Sequence, residues 1–225
     1  MFHEYIVRPF FNLLIYLYNV IPGSDFGLAI IVLTVLIRLV FSPLSIKTQR
    51  AQRSLNALNP KIQEIREKHK NDQVAQSNAI MQLYREHKIN PFAGCLPLLI
   101  QIPILLALYK AFLEGFNPDS LSMLYSFIEH PGTIERVSFG FLDVTTKNSF
   151  LAVIAGVLQF IQAKVAFSGQ TPGNPTAAAM NTQMLYIFPV MVVFITWTLP
   201  AGLGLYWATS TLFSIGEQFI ARRST

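Results

Sequence analysis

The sequence predicts an all-α polytopic membrane protein, and three features carry that expectation. Five apolar runs, at about 26–45, 93–113, 148–167, 183–200 and 203–221, are long enough to cross a bilayer, which takes about 20 residues. Only 13% of the 225 residues are charged and 52% are hydrophobic, whereas an ordinary soluble domain carries about 25% charged residues. The basic residues gather in one stretch between the first two runs instead of spreading along the chain.

Residues 1–22 read as an amphipathic helix lying in the membrane interface on the external face. Glu4, Arg8, Asn12, Tyr16 and Asn19 recur at helical spacing, with Phe10, Leu13, Leu14, Leu17 and Ile21 between them. The segment lacks the basic start and small-residue cleavage site of a signal peptide. "PGSD" ends it and the first span follows at 26–45. Residues 46–90 hold nine basic residues against four acidic ones, a net +5. Within them Leu55, Leu58, Ile62 and Ile65 form one stripe, and Ile80, Leu83, Tyr84 and His87 a second, with "KHKND" between. That pattern predicts a mobile helical hairpin. Its basic residues, among them Lys47, Arg50, Arg53, Lys61, Arg66 and Lys68, suit anionic lipid headgroups, ribosomal RNA or an acidic protein, and charge alone does not rank these.

The second span, 93–113, follows "NPFAGCLP", with Asn90 as N-cap and Pro91 as first helical residue. Pro97, Pro103 and Pro189 are expected to kink their spans. The 114–147 loop carries a net −3 and is expected outside. The third span, 148–167, leads into a Gly- and Pro-rich loop at 168–182. The fourth and fifth spans, 183–200 and 203–221, are separated by "PAGLG" and form a tight antiparallel pair. The positive-inside rule puts 46–90, 168–182 and the end bearing Arg222 and Arg223 in the cytoplasm. Five spans then place the N-terminus outside.

Function is expected to show in the polar residues inside the spans. Thr34, Arg38 and Ser42 share one face of span one. Gln101 stands in span two, and Gln159 and Gln162 lie one turn apart in span three. Trp207, Ser210, Thr211, Ser214 and Gln218 make a stripe along span five. An isolated hydroxyl at such a position usually acts as interhelical glue, worth about 0.6 kcal/mol. Arg38 is different. It lies nine residues before Lys47, so about 13 Å deeper at ~1.5 Å per residue. Spans one to four contain no acid, and Glu217 of span five sits shallower. A deep cation without a counter-ion calls for water, which several polar helix faces could hold as a hydrophilic cavity.

These residues exclude several functions. No span contains the histidine that an intramembrane serine protease would need. No carboxylate, His or Cys cluster suits a metal, and arginine, which stays protonated, cannot carry protons for a coupled carrier. No phosphate-binding loop is present and the single Cys95 allows no internal disulfide. The expectation is a protein with no catalytic residue, cofactor or DNA partner.

Three stretches, "IRLVFSPLSIKTQRAQRSLNALNPKIQEI", "NPFAGCLPLLIQIPILLALYKAF" and "LPAGLGLYWATSTLFSIGEQFI", resemble the YidC membrane protein insertases, whose relatives act in mitochondria and chloroplasts. The resemblance implies five helices around a hydrophilic groove, open to cytoplasm and lipid and closed outside. It places the family's groove residues on Arg38, Gln101, Gln162 and Trp207, and makes spans three and five the slide along which a cargo helix leaves. It further implies nascent membrane proteins as cargo, recruitment by the 46–90 hairpin, work beside the Sec translocon, ribosome-bound chains, and a bacterial plasma-membrane location. The sequence lacks the large external domain of some bacterial members and has almost no basic tail after Arg223. With Thr34, Gln159, Ser210 and Thr211 added from the polar stripes, these residues form the expected groove. The rival from another class is a small channel or solute carrier using the same cavity. The apolar outer half of span one, "FGLAIIVL", argues instead for a half-depth groove. A structural scaffold or assembly chaperone for other membrane proteins is a third reading of the same surface.

Overall fold

The computed structural model describes residues 3–88, 90, 96–117, 122–167, 179 and 181–223. Eight α-helices are found among the described residues: α1 (Arg8–Val20), α2 (Phe26–Ala57), α3 (Asn59–Lys68), α4 (Gln73–Glu86), α5 (Leu96–Gly115), α6 (Ser149–Phe167), α7 (Phe188–Thr198) and α8 (Ala201–Arg223). A short hairpin of β1 (Val137–Ser138) and β2 (Leu142–Asp143) stands between α5 and α6. Among the described residues, two helices, Phe26–Ala57 and Ser149–Phe167, are long and apolar enough to cross a membrane, and Gln183–Thr198 is a shorter apolar helix.

The main apolar core sits at the end of the bundle that carries the 122–146 loop. Val7, just before α1, and Phe11, Leu14 and Ile15 of α1 meet Phe26, Ile30 and Leu33 of α2, Leu108 and Phe112 of α5, and Leu203 and Tyr206 of α8. Phe26 is the hub, with ring centroids 4.8–5.9 Å from those of Tyr18, Phe112 and Phe116. The polar residues of α1 face the loop. Arg8 Nε donates to the Met123 carbonyl at 3.0 Å and its guanidinium lies 5.1 Å from the Tyr125 ring centroid. The Asn12 amide brackets the same segment, donating to Met123 O and accepting from Tyr125 N. Asn19 donates to Glu129 O. Tyr5, Leu13, Tyr16 and Val20 are the exposed apolar residues of this stretch, a stripe that suits an interface.

The loop also fastens the starts of two long helices. Asp25 caps α2 through Leu28 N, and its second oxygen accepts from Phe139 N at 2.5 Å. This bond holds Phe139 at φ +56° in the β1–β2 turn, beside Gly140 at φ +77°. They are the central residues of the turn that Phe141 N closes onto Ser138 O, within a three-residue loop, and positive angles at both central residues are those of a type I′ turn. Ser138 Oγ accepts from Gly27 N at 2.7 Å, and a Cβ on Gly27 would lie 2.8 Å from Ser138 Cβ. At α8, Ala201 N donates to Thr146 O and Gly202 N to Val144 O. Two of the amides that a helix leaves unpaired at its start are thus satisfied by the loop.

Glycines set close approaches of α6 to α7 and of α8 to α5. A Cβ at Gly156 would collide with Val193 of α7, and one at Gly202 with the Phe112 ring. Pro9 and Pro189 each stand at the second position of a helix that follows a five-residue π-turn, His3–Val7 and Gln183–Ile187. The kink expected within the fourth span is therefore a π-to-α transition, placed where a residue without an N–H fits. Pro103 lies inside α5.

The first span and the hairpin divide differently from expectation. α2 does not stop at residue 45 but runs unbroken past Pro43 to Ala57. The break comes at Leu58, before Asn59 and Pro60 at the start of α3. The hairpin proper is α3 and α4, closed by Leu58, Ile62 and Leu83 with Ile65, Ile80 and Tyr84 around them. Asp72 caps α4 by accepting from Val74 N and Ala75 N. The proposed helix start at Asn90 and Pro91 runs into residues 91–95, and most of the 168–182 loop falls at 168–178, all outside the described residues.

Two outcomes test this packing. Gly202→Leu should destabilise the protein by about 1–3 kcal/mol through overpacking, while Gly216→Leu, whose Cβ meets nothing within 4 Å, should not; thermal unfolding in detergent measures both. The Thr145 hydroxyl and amide hold the Asp143 carboxyl below the usual carboxylate range. A lowered folded value means stability that is present above the unfolded value, about 3.9, and lost as pH falls through the folded one. Hydrogen exchange at the Thr145 amide should accelerate below about pH 4, and Asp143→Asn should abolish that pH dependence.

Candidate functional site

Below the apolar core lies a layer of polar side chains centred on Arg38. Twelve residues separate it from the start of α2 at Phe26, about 18 Å along the axis. Arg38 is half-buried, and no carboxylate pairs with it among the described residues. Its partners are neutral. Nε donates to Ser210 Oγ at 2.8 Å, and Nη2 donates to the same hydroxyl and to Gln101 Oε1 at 3.1 Å. Gln101 Nε2 in turn donates to the Tyr206 hydroxyl at 2.5 Å. Three helices, α2, α5 and α8, therefore meet through one guanidinium. Nη1 has no hydrogen-bond partner among the described residues.

A second network joins α6 to α8. Trp207 Nε1 donates to Gln159 Oε1 at 3.2 Å, and Gln159 Nε2 donates to Gln162 Oε1 at 2.7 Å. All three side chains are half-buried. Past Arg38, toward the hairpin end, Leu39, Val40, Phe41 and Leu44 of α2 are exposed. The sealed apolar layer thus gives way to a polar layer and then to open helix faces.

Not every expected residue joins this layer. Thr34 is buried and its hydroxyl returns to the Ile30 carbonyl of its own helix. Thr211 is buried within the helix packing and Ser214 likewise. Of the basic hairpin residues, Lys47 and Arg50 on α2 and Lys61 and Lys68 on α3 are exposed. Lys61 Nζ donates to His87 Nε2 across the hairpin at 3.3 Å. Arg66 lies beside Tyr84, whose phenol burial pushes up and Arg66 partly pulls back. Arg53 is committed to the bundle, since its guanidinium donates to the Gln218 and Ala221 carbonyls at the end of α8; a cation there also suits the helix dipole.

Two contributors were not placed beside this layer from sequence, where Glu217 figured only as a shallower acid. Tyr206 lies one turn before Ser210, on the face that meets α2 and α5, and that spacing was the available signal. The second is the pair Ser45 and Glu217, with Ser45 Oγ donating to Glu217 Oε2 at 2.7 Å. Arg38–Ser210 and Ser45–Glu217 are each 172 residues apart. Helices α2 and α8 therefore run parallel in fixed register, with polar rungs one heptad apart, the spacing of a left-handed helix pair.

The chemistry of this layer is to hold a positive charge among neutral donors and acceptors. It contains no nucleophile–base pair, and no cluster of three or more His, Cys, Asp or Glu side chains is found among the described residues.

Comparison with known proteins gives one consistent picture. A family model described as 60Kd inner membrane protein matches residues 16–225. The membrane protein insertase YidC of Fusobacterium nucleatum is 34% identical over 196 residues, covering 87% of this chain and 85% of that protein. The membrane protein insertase MisCA of Bacillus subtilis is 35% identical over 225 residues, covering 97% and 78%. A crystal structure of active YidC insertase with its first transmembrane domain resolved aligns with a TM-score of 0.65 at 25% identity, over 96% of this chain and 46% of that one.

The Gln101–Tyr206 contact has a measurable weight. A double-mutant cycle of Gln101→Leu and Tyr206→Phe should give a coupling of about 0.6 kcal/mol, the average for such bonds between membrane helices, read from unfolding in mixed micelles.

Proposed function

The chain belongs to the 60Kd inner membrane protein family, and on that premise we propose that it is a membrane protein insertase that receives short polar tails of nascent membrane proteins at Arg38. The observation that carries this reading is the half-buried guanidinium held by neutral partners, with Nη1 without a partner among the described residues, beneath a closed apolar core. In this reading five helices cross the bilayer: the outer part of α2, α5, α6, the 183–198 segment and α8. The loop end faces outward and the hairpin lies in the cytoplasm, as the charge distribution favours.

The mechanism follows from desolvation. A polar tail that leaves water for hydrocarbon loses its hydrogen bonds. Gln101, Gln159, Gln162, Trp207 and Ser210 offer replacements part-way across, and Arg38 attracts acidic residues of the tail. The apolar segment that follows leaves between α6 and α8 into lipid, and its burial drives release. An inside-negative potential adds about 2.3 kcal/mol per negative charge per 100 mV. The exposed Lys47, Arg50, Lys61 and Lys68 meet anionic lipid and the ribosome that delivers the chain, and delivery beside the Sec translocon fits the same arrangement. The protein then resides in the bacterial plasma membrane, N-terminus outside and C-terminus inside. A transbilayer solute path would have to pass through the layer of Phe26, Leu33, Phe112 and Leu203, which is fully packed.

Reconstituted Arg38→Ala protein should insert single-span cargo with an acidic tail several-fold more slowly than the parent, while cargo with a neutral tail is less affected. Arg38→Lys should recover part of the loss, because a lysine keeps the charge but not the fork that spans Ser210 and Gln101. Equal insertion of acidic cargo by Arg38→Ala would remove the electrostatic role.

A further inference from the structure

One heptad beyond Arg38, the α2–α8 seam holds a carboxylate that the insertion mechanism does not use. Glu217 is only 3% exposed. Its Oε2 accepts from Ser45 Oγ at 2.7 Å, while its Oε1 is buried and accepts nothing from the described residues. Gln49, one turn after Ser45 on α2, donates from Nε2 to the same Ser45 Oγ at 3.2 Å, and its Oε1 is also buried without a donor. The orientation of this amide is fixed by chemistry. The Ser45 proton goes to Glu217, so the Gln49 atom facing Oγ must be the donor nitrogen. Two buried acceptors therefore flank one serine hydroxyl, and one of them belongs to an acid.

The nearby cation does not fill this need. Arg53, two turns past Ser45, is engaged by the Gln218 and Ala221 carbonyls and makes no ion pair with Glu217. The donor set is all oxygen, which selects a hard cation, and it holds one carboxylate, whereas divalent sites commonly gather several charged oxygens.

We propose that Glu217, Gln49 and Ser45 form a binding site for a monovalent alkali cation at the hairpin end of the α2–α8 seam. Glu217 Oε1 and Gln49 Oε1 supply the protein ligands, water completes the shell, and the ion joins the two helices below the arginine layer. The inference is independent of the insertion reading, because it concerns the protein without cargo.

The test is thermal unfolding of the full chain in a neutral detergent, in NaCl, KCl or N-methylglucamine chloride at equal ionic strength. An alkali ion at about ten times its Kd should raise the Tm of the parent by about 3 °C over N-methylglucamine. Glu217→Gln keeps the shape and should lose the ion-dependent shift whatever its own Tm. Gln49→Met removes only the neutral ligand and should reduce the shift without abolishing it. The same Tm in all three salts, or a shift that persists in Glu217→Gln, would overturn the proposal.

Discussion

A guanidinium in a weakly polar setting must have its charge solvated by something, and no carboxylate among the described residues does so. That constraint organises the arginine layer. Ser210, Gln101 and, through it, Tyr206 are drawn to one point from two further helices. A salt bridge would have neutralised Arg38 and tied up its donors. Neutral partners leave the charge in place while fixing its geometry. The result is a positive site held by contacts from two other helices.

The layer stays in position because the opposite end of the bundle is fastened. The 122–146 loop bonds α1 through Arg8, Asn12 and Asn19, caps α2 through its contacts with Asp25 and Gly27, and supplies carbonyls to the start of α8. Two parallel helices that begin at fixed points and share a heptad register have little freedom to slide. Membership of an insertase family agrees with a scaffold of this kind, closed at one end and polar midway.

Much of this was legible in the sequence. The isolated charge of Arg38, the stripe through Ser210 and the solitary Gln101 all announced themselves against apolar surroundings, and the structure brings them together. Gln159 and Gln162 were equally visible by their one-turn spacing, but their link to Trp207 joins two helices, which spacing within either one does not give. Other features were hidden for physical reasons. Thr34 shares the face of Arg38, but a threonine can satisfy itself on its own backbone, and spacing does not reveal that choice. Tyr206 read as one more aromatic because its partner is 105 residues away. The continuation of α2 to Ala57 was masked by the change from apolar to basic composition, which marks a change of solvent and not the end of a helix.

That uninterrupted α2 has a mechanical consequence. The helix is tied to α8 on both sides of Pro43, by Arg38 before it and by Ser45 and Arg53 after it. The first joint free of such ties is Leu58, where α3 begins with its own small apolar cluster. The 59–86 arm is therefore joined to a fixed post at a single break. With helices of 10 and 14 residues, its length is about 15–20 Å. A displacement of the arm about Leu58 would leave the α2–α8 contacts at Arg38, Ser45 and Arg53 unstrained.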